Sequence, residues 1–177
     1  MIKKILLIAL SVSFMYGCSS GVKRAQYDQA GTSAAVEVEK VSNVSVSLTA
    51  EAKEKVAENL KFDQHKLLSH VKRALDSRAM LLSQPDGVMP SLELQVKDFR
   101  VRSNLSAVML GFMAGSDSIT GDVVLKNPNG QELDRFEVSV SYALGGIGGG
   151  QDDARMGWLY EKFAEETLKE LRGQSVQ

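Results

Sequence analysis

Cysteine is almost missing from these 177 residues: Cys18 is the only one. No internal disulfide can form, and no zinc site built on cysteines is available. Aromatic residues make up 6% of the chain, with one Trp and three Pro. There is no excess of basic charge, since 21 Lys and Arg face 22 Asp and Glu. The electrostatic footprint of a nucleic-acid binder is therefore missing. Anionic lipid headgroups also gain little from such a surface. No uncharged stretch reaches the ~20 residues that a membrane-spanning helix needs.

The N-terminus is what stands out. Lys3 and Lys4 form a short basic start, and Ile5 to Gly17 follow without a charge. That is the pattern of a signal peptide, residues 1–17, too short to span a bilayer. It ends in Met15-Tyr16-Gly17-Cys18. Ordinary secretory cleavage wants small residues at the last and third-last positions, and Met15 fails that requirement. A lipobox tolerates a bulky residue there and demands cysteine next. Tyr16 is larger than usual for one. The reading is cleavage between Gly17 and Cys18, with lipid (diacylglyceryl and palmitate-like chains) on Cys18. Two or more acyl chains, at about 0.8 kcal/mol per buried methylene, anchor stably where one does not. Ser19 and Ser20 follow, with no Asp beside the cysteine. This favours the periplasm-facing leaflet of an outer membrane.

Removing Lys3 and Lys4 leaves 19 basic against 22 acidic residues, a balance of −3. Hydrophobic content of 44% with 24% charged residues is that of a globular domain. Residues 18–34 are polar and non-periodic after the cysteine and read as a lipidated tether, spanning roughly 20–25 Å as random coil. Residues 35–173 read as one domain and 174–177 as a tail.

Ala35 to Val41 alternates in the manner of a strand, and Asn43 to Leu48 alternates again. Thr49 and Asp63 are N-cap residues for a helical region over 50–82, broken near 61–63. Leu67, Leu68, Val71, Ala74, Leu75 and Ala79 form its apolar stripe. Gln84-Pro85-Asp86-Gly87 ends it as a turn. Leu92, Leu94 and Val96 alternate with polar residues, and the phase flips at Asp98, which predicts a bulge. Asn127-Pro128-Asn129-Gly130 between strand-like flanks predicts a hairpin. Asp152 or Asp153 caps a last helix, whose inner stripe runs from Met156 through Leu159, Tyr160, Phe163, Thr167 and Leu168 to Leu171. Glu165 and Lys169 form an i,i+4 pair. The predicted class is α+β: a small antiparallel or mixed sheet of about four strands against two or three helices, ordered β-α-β-β-β-α.

Two segments carry candidate function. Leu105 to Ala114 is an uncharged apolar run that contains Val108, Met109, Leu110, Phe112 and Met113. A short apolar run is most often core; the sharper reading is an adaptable docking patch. The second is a glycine run, with Gly145, Gly146, Gly148, Gly149 and Gly150. It has no following Lys-Ser/Thr and no register for G-x-G-x-x-G, and Asp152 and Asp153 would repel an anion, so no nucleotide is expected. It reads as a flexible link or a close-approach surface. His65 and His70 face different sides of a helix and cannot share a metal, and no G-x-S-x-G elbow is present. No catalytic residue, metal or cofactor is assigned.

Gly121-Asp122-Val123-Val124-Leu125, Asn129-Gly130, Phe136-Glu137-Val138-Ser139, the glycine run and Trp158-Leu159-Tyr160 with Phe163-Ala164 resemble an uncharacterised bacterial family, domain-of-unknown-function family 4410, typically small lipoproteins. The similarity covers roughly residues 35–172. Its motifs are structural, so it implies fold and location and transfers no active-site residue. The element order also resembles small modules of periplasmic assembly lipoproteins, some of which form rings, a likeness of fold that does not give function. The expectation is a non-enzymatic envelope protein, membrane-attached by lipid, that docks to itself as a homo-oligomer or to an envelope partner. The alternatives are a periplasm-facing binding module for a glycan, lipid or peptide, and a hydrolase.

Overall fold

The computed structural model describes residues 18–24, 38–58, 61–103, 115–143 and 152–173. The elements are β1 (Cys18–Arg24), β2 (Asn43–Leu48), α1 (Ala50–Glu58), α2 (Gln64–Asp76), β3 (Ser91–Arg100), β4 (Asp117–Lys126), β5 (Glu132–Tyr142) and α3 (Asp152–Leu171). The five strands make one sheet in the order β1-β5-β4-β3-β2. Only β2 and β3 run parallel, joined through α1 and α2; the other neighbours are antiparallel. The class is α+β, as expected, with one strand more than the roughly four anticipated.

That extra strand is a correction. Cys18–Arg24 pairs along its whole length with β5, from Cys18 against Tyr142 to Arg24 against Phe136. The stretch read as a tether therefore begins as sheet. Its residues are polar because it is an edge strand, and its stability comes from the ladder offered by β5 rather than from apolar alternation. From this strand Val22 packs on the core, and the Arg24 guanidinium lies over the buried Phe136 ring at 5.3 Å. Residues 25–34, the rest of the expected tether, lie outside the described residues.

Alternation places one sheet face inward. Leu92, Leu94 and Val96 of β3, Ile119 and Val123 of β4, and Phe136, Val138 and Val140 of β5 are buried. The helices cover them: α3 lies over β5, β4 and β1, and α2 packs beside it. Burying each such side chain contributes about 1.5–3 kcal/mol. The register shift between Val96 and Asp98 is the bulge predicted from the phase flip, and it returns Phe99 to the inner face. Phe99 then stacks on Phe62 at 4.6 Å, and Tyr160 meets Phe62 edge-on at 5.9 Å.

The helix starts are local chemistry. The Thr49 hydroxyl accepts from the Ala52 N–H at 3.2 Å, and Asp63 accepts from His65 and Lys66 N–H groups at 2.8 and 3.2 Å. Leu67, Val71 and Leu75 are the buried stripe of α2. The far end differs from expectation. The helix ends at Asp76, and Ala79 adopts φ +55 just beyond it, off the stripe assigned to it. The Met80 N–H returns to the Leu75 carbonyl at 3.0 Å, a helix-stop geometry that usually employs glycine. The cause is tertiary: Met80 and Leu82 bond to Val41 at 2.8 and 3.0 Å, which pulls the chain out of the helix. The turn predicted at Gln84–Gly87 is instead an irregular stretch with bends at Gln84 and Gly87, which does not end a helix, and the local side-chain turn lies one step on, where Asp86 accepts from the Val88 and Met89 N–H groups.

Two further corrections concern boundaries. Residues 35–37 of the strand-like stretch read over 35–41 lie outside the described residues, Val38 to Lys40 is not strand, and Val41 makes a single bridge to Leu81. Asp152 is the first residue of α3 rather than a cap before it. The hairpin at Asn127–Gly130 is as read, with the Gly130 N–H donating to the Asn127 carbonyl at 2.9 Å and Gly130 at φ +80.

Candidate functional site

Val108, Met109, Leu110, Phe112, Met113, Gly145, Gly146, Gly148, Gly149 and Gly150 all lie outside the described residues. Their flanks do not. Ser103 and Gly115 bound the apolar run, and Ala143 and Asp152 bracket the segment that holds the glycine run. These flanks meet at one end of the sheet over a buried charge cluster that the sequence reading did not anticipate.

Asp117 is its centre and is fully buried, and the side chains of Arg102 and Arg155 are 2% and 1% exposed. Asp117 accepts from the Arg102 backbone N–H at 2.7 Å and from its Nη2 at 3.1 Å. Its Oδ2 also accepts from Arg155 Nε at 2.9 Å. Arg102 donates onward to the Gly115 carbonyl at 2.7 Å and the Tyr142 carbonyl at 3.2 Å. Arg155 donates to the Arg102 carbonyl at 3.3 Å and to Asp152 at 2.5 Å. Lys61 also meets Asp152 at 2.5 Å. Charges taken this far out of water must be mutually compensated. The consequence is mechanical. One network fixes the exit from β3, the entry to β4, the exit from β5 and the start of α3, so both candidate segments are rooted side by side.

The signal for this cluster was present but faint. Asp117 sits in the inward phase of β4, with Ile119 and Val123. Arg155 sits on the buried stripe of α3, with Leu159 and Phe163. Charged residues in core phase are the mark of a buried pair, but nothing local says which partners they take.

The outer sheet face is polar and self-neutralised. Lys97 bridges Asp122 and Glu137 at 2.8 and 2.5 Å, and Arg135 joins Asp122 at 3.1 Å and Glu132 at 2.7 Å. Lys126 and Ser47 bond to Glu93 and hold its carboxyl below the usual range. Two clefts of about 290 and 340 Å³ are described: one between α2 and α3 over His70, Arg73 and Glu161, the other near Lys97, Arg135 and Phe136. His70 meets Arg73 at 3.0 Å and the Tyr160 ring, rather than a hydroxyl nucleophile. Among the described residues, no group of three or more His, Cys, Asp or Glu is placed to hold a metal. No described helix is long and apolar enough to cross a membrane.

The model of the family described as "Domain of unknown function (DUF4410)" matches residues 25–146, more than half of the chain. The chain belongs to this family. The match stops at residue 146, so the Trp158–Ala164 helix that contributed to the resemblance lies outside it. No curated protein sequence matches the chain. Among solved structures, the chain is similar to a PelC dodecamer from Paraburkholderia phytofirmans at 15% identity and TM-score 0.47, covering 90% of this chain and 100% of that one. A point variant of the same dodecamer gives 17% identity and TM-score 0.46, with the same coverage. A minor lipoprotein from Acinetobacter baumannii gives 13% identity and TM-score 0.37, covering 75% of this chain and 93% of that one. Nothing about activity or assembly is transferred at these levels of similarity.

Proposed function

We propose that this DUF4410 protein is an exported lipoprotein of the bacterial envelope, cleaved before Cys18 and attached by lipid, most simply to the periplasm-facing leaflet of the outer membrane. One observation carries the anchoring: an uncharged Ile5–Gly17 stretch after two lysines, ending at the only cysteine of the chain. Alkylation by lipid also removes what would otherwise be a free thiol in an oxidising compartment. Labelling with a palmitate analogue tests it. Wild type takes up label and accumulates as a precursor under globomycin, and Cys18→Ser takes up none. Label retained by Cys18→Ser, or no label in wild type, sinks the reading.

On the membrane, the domain acts as a non-enzymatic fitting that docks to itself or to an envelope partner through 105–115 and 145–150. Support comes from the Arg102–Asp117–Arg155 network, which brings the roots of both segments to one place. A composite surface needs that arrangement, whereas two unrelated loops do not. Light scattering of the leaderless Cys18→Ser protein at micromolar concentration tests self-association, and crosslinking in cells tests a partner. Phe112→Asp weakens whichever association exists. A strict monomer with no crosslinked partner overturns the docking reading and leaves the lipoprotein reading standing. The ligand-module alternative expects an apolar or aromatic-lined cleft, and the two described clefts are lined chiefly by charged and polar side chains.

A further inference from the structure

Cys18 is not at the end of a leash. It is the first paired residue of β1, set against Tyr142, and Tyr142 is in turn set against Asp117 of β4. On β3, Arg100 pairs with Ser118 one position further in. Four adjacent strands thus end together at Cys18, Tyr142, Asp117 and Arg100. With strands about 4.8 Å apart, Cys18 lies roughly 10 Å from the start of β4.

We propose that the domain sits directly on the bilayer by this end of the sheet, the lipid entering the membrane from the strand itself. The inference rests on Cys18 being lipidated, as proposed above. An acyl group on a strand residue leaves no linker to separate bilayer and domain, so whatever neighbours Cys18 at this end is brought to the headgroups. The chemistry of the end suits that position. The central charges at this end are already compensated: Asp117 by Arg102 and Arg155, and Asp152 by Arg155 and Lys61. These buried pairs stay intact against a membrane surface, and the charges exposed at this end, Arg100 and Asp153, belong in the polar headgroup layer. The opposite end carries paired charges of its own, Lys126 with Glu93 and Glu132 with Arg135, so position rather than charge separates the two ends. β4 is 10 residues long, so the hairpin tip at Asn129 stands about 30 Å further out if the strands lie near the membrane normal.

The test uses the full chain, lipidated in cells and reconstituted in phosphatidylethanolamine–phosphatidylglycerol vesicles containing nitroxide-headgroup lipid. Because Cys18 is alkylated, a second cysteine can be labelled uniquely with a fluorophore. Seating predicts that a probe at Ser116→Cys is quenched at least several-fold more than one at Asn129→Cys. It also predicts that inserting 12 Gly/Ser residues between Cys18 and Ser19 abolishes the difference, since the insertion restores the missing leash without touching the core. Equal quenching at the two sites overturns the proposal, and so does a difference that survives the linker. Mass spectrometry of the N-terminal peptide separates the two failures. An unacylated Cys18 removes the lipoprotein reading and the seating together, whereas an acylated Cys18 with equal quenching removes the seating alone.

Discussion

Asp117 and Arg155 lie 38 residues apart in sequence and meet at 2.9 Å in the core, where neither side chain is more than 1% exposed. This contact joins the first residue of β4 to the first turn of α3. With Arg102 on the other side of the same carboxylate, it fixes where both candidate docking segments begin and end.

Removing the charge from that carboxylate leaves two buried guanidinium groups facing each other. Asp117→Asn is expected to destabilise the domain by about 3–5 kcal/mol, the usual cost of breaking a buried pair from one side. Asp122→Asn, on the partly solvated outer face, is expected to cost no more than about 1 kcal/mol. Urea denaturation of the leaderless Cys18→Ser protein compares them. Equal losses would mean that the inner cluster is no more demanding than a surface network.

Gly121 is a site of close approach. A Cβ there would lie 3.0 Å from the Gln95 carbonyl oxygen and 3.2 Å from the Val96 Cα, both backbone atoms that cannot swing aside. Gly121→Ala is therefore expected to force β3 and β4 apart beside the bulge, at about 1–3 kcal/mol. Thermal unfolding reads the loss, and an unchanged midpoint would refute the close approach.

Ala79 offers the opposite sign. It holds φ +55, where a Cβ is strained. Ala79→Gly is expected to stabilise by about 0.5–1 kcal/mol, because relief of strain outweighs the added freedom of the unfolded chain. A loss of stability on urea titration would show that the left-handed turn is not needed.

Tyr160 ties α3 to the start of α2, its hydroxyl oxygen accepting from the Asp63 N–H at 2.7 Å. Burial pushes its hydroxyl up from 10.0 to about 12. The folded state keeps this proton between pH 10 and 12 while the unfolded chain gives it up. The contribution is thus complete below pH 10 and is lost as pH rises through 12. Tyr160→Phe is expected to flatten the decline in stability over that window. It should also cost about 1–2 kcal/mol at neutral pH for the unpaired N–H. Parallel slopes for both proteins would contradict this assignment.

Much of the domain was legible from residue pattern alone, because the governing forces are local. Asp63 and Thr49 cap helices through N–H groups two or three residues on, and Asn127–Gly130 turns because Gly130 accepts φ +80. The phase flip at Asp98 is a bulge because a strand has two faces and only one is covered. Other features were settled only by the tertiary structure. β1 is polar and bears no stripe, and it is a strand because β5 had a free edge more than a hundred residues away. The end of α2 at Asp76 follows from the pull of Val41 on Met80 and Leu82. Arg102, Asp117 and Arg155 become one unit only when three elements close over them. The sequence determined that the one cysteine ends a signal-like stretch. Whether that cysteine swings on a tether or is set into the sheet was decided by backbone pairing with Tyr142, which no local pattern around Cys18 encodes.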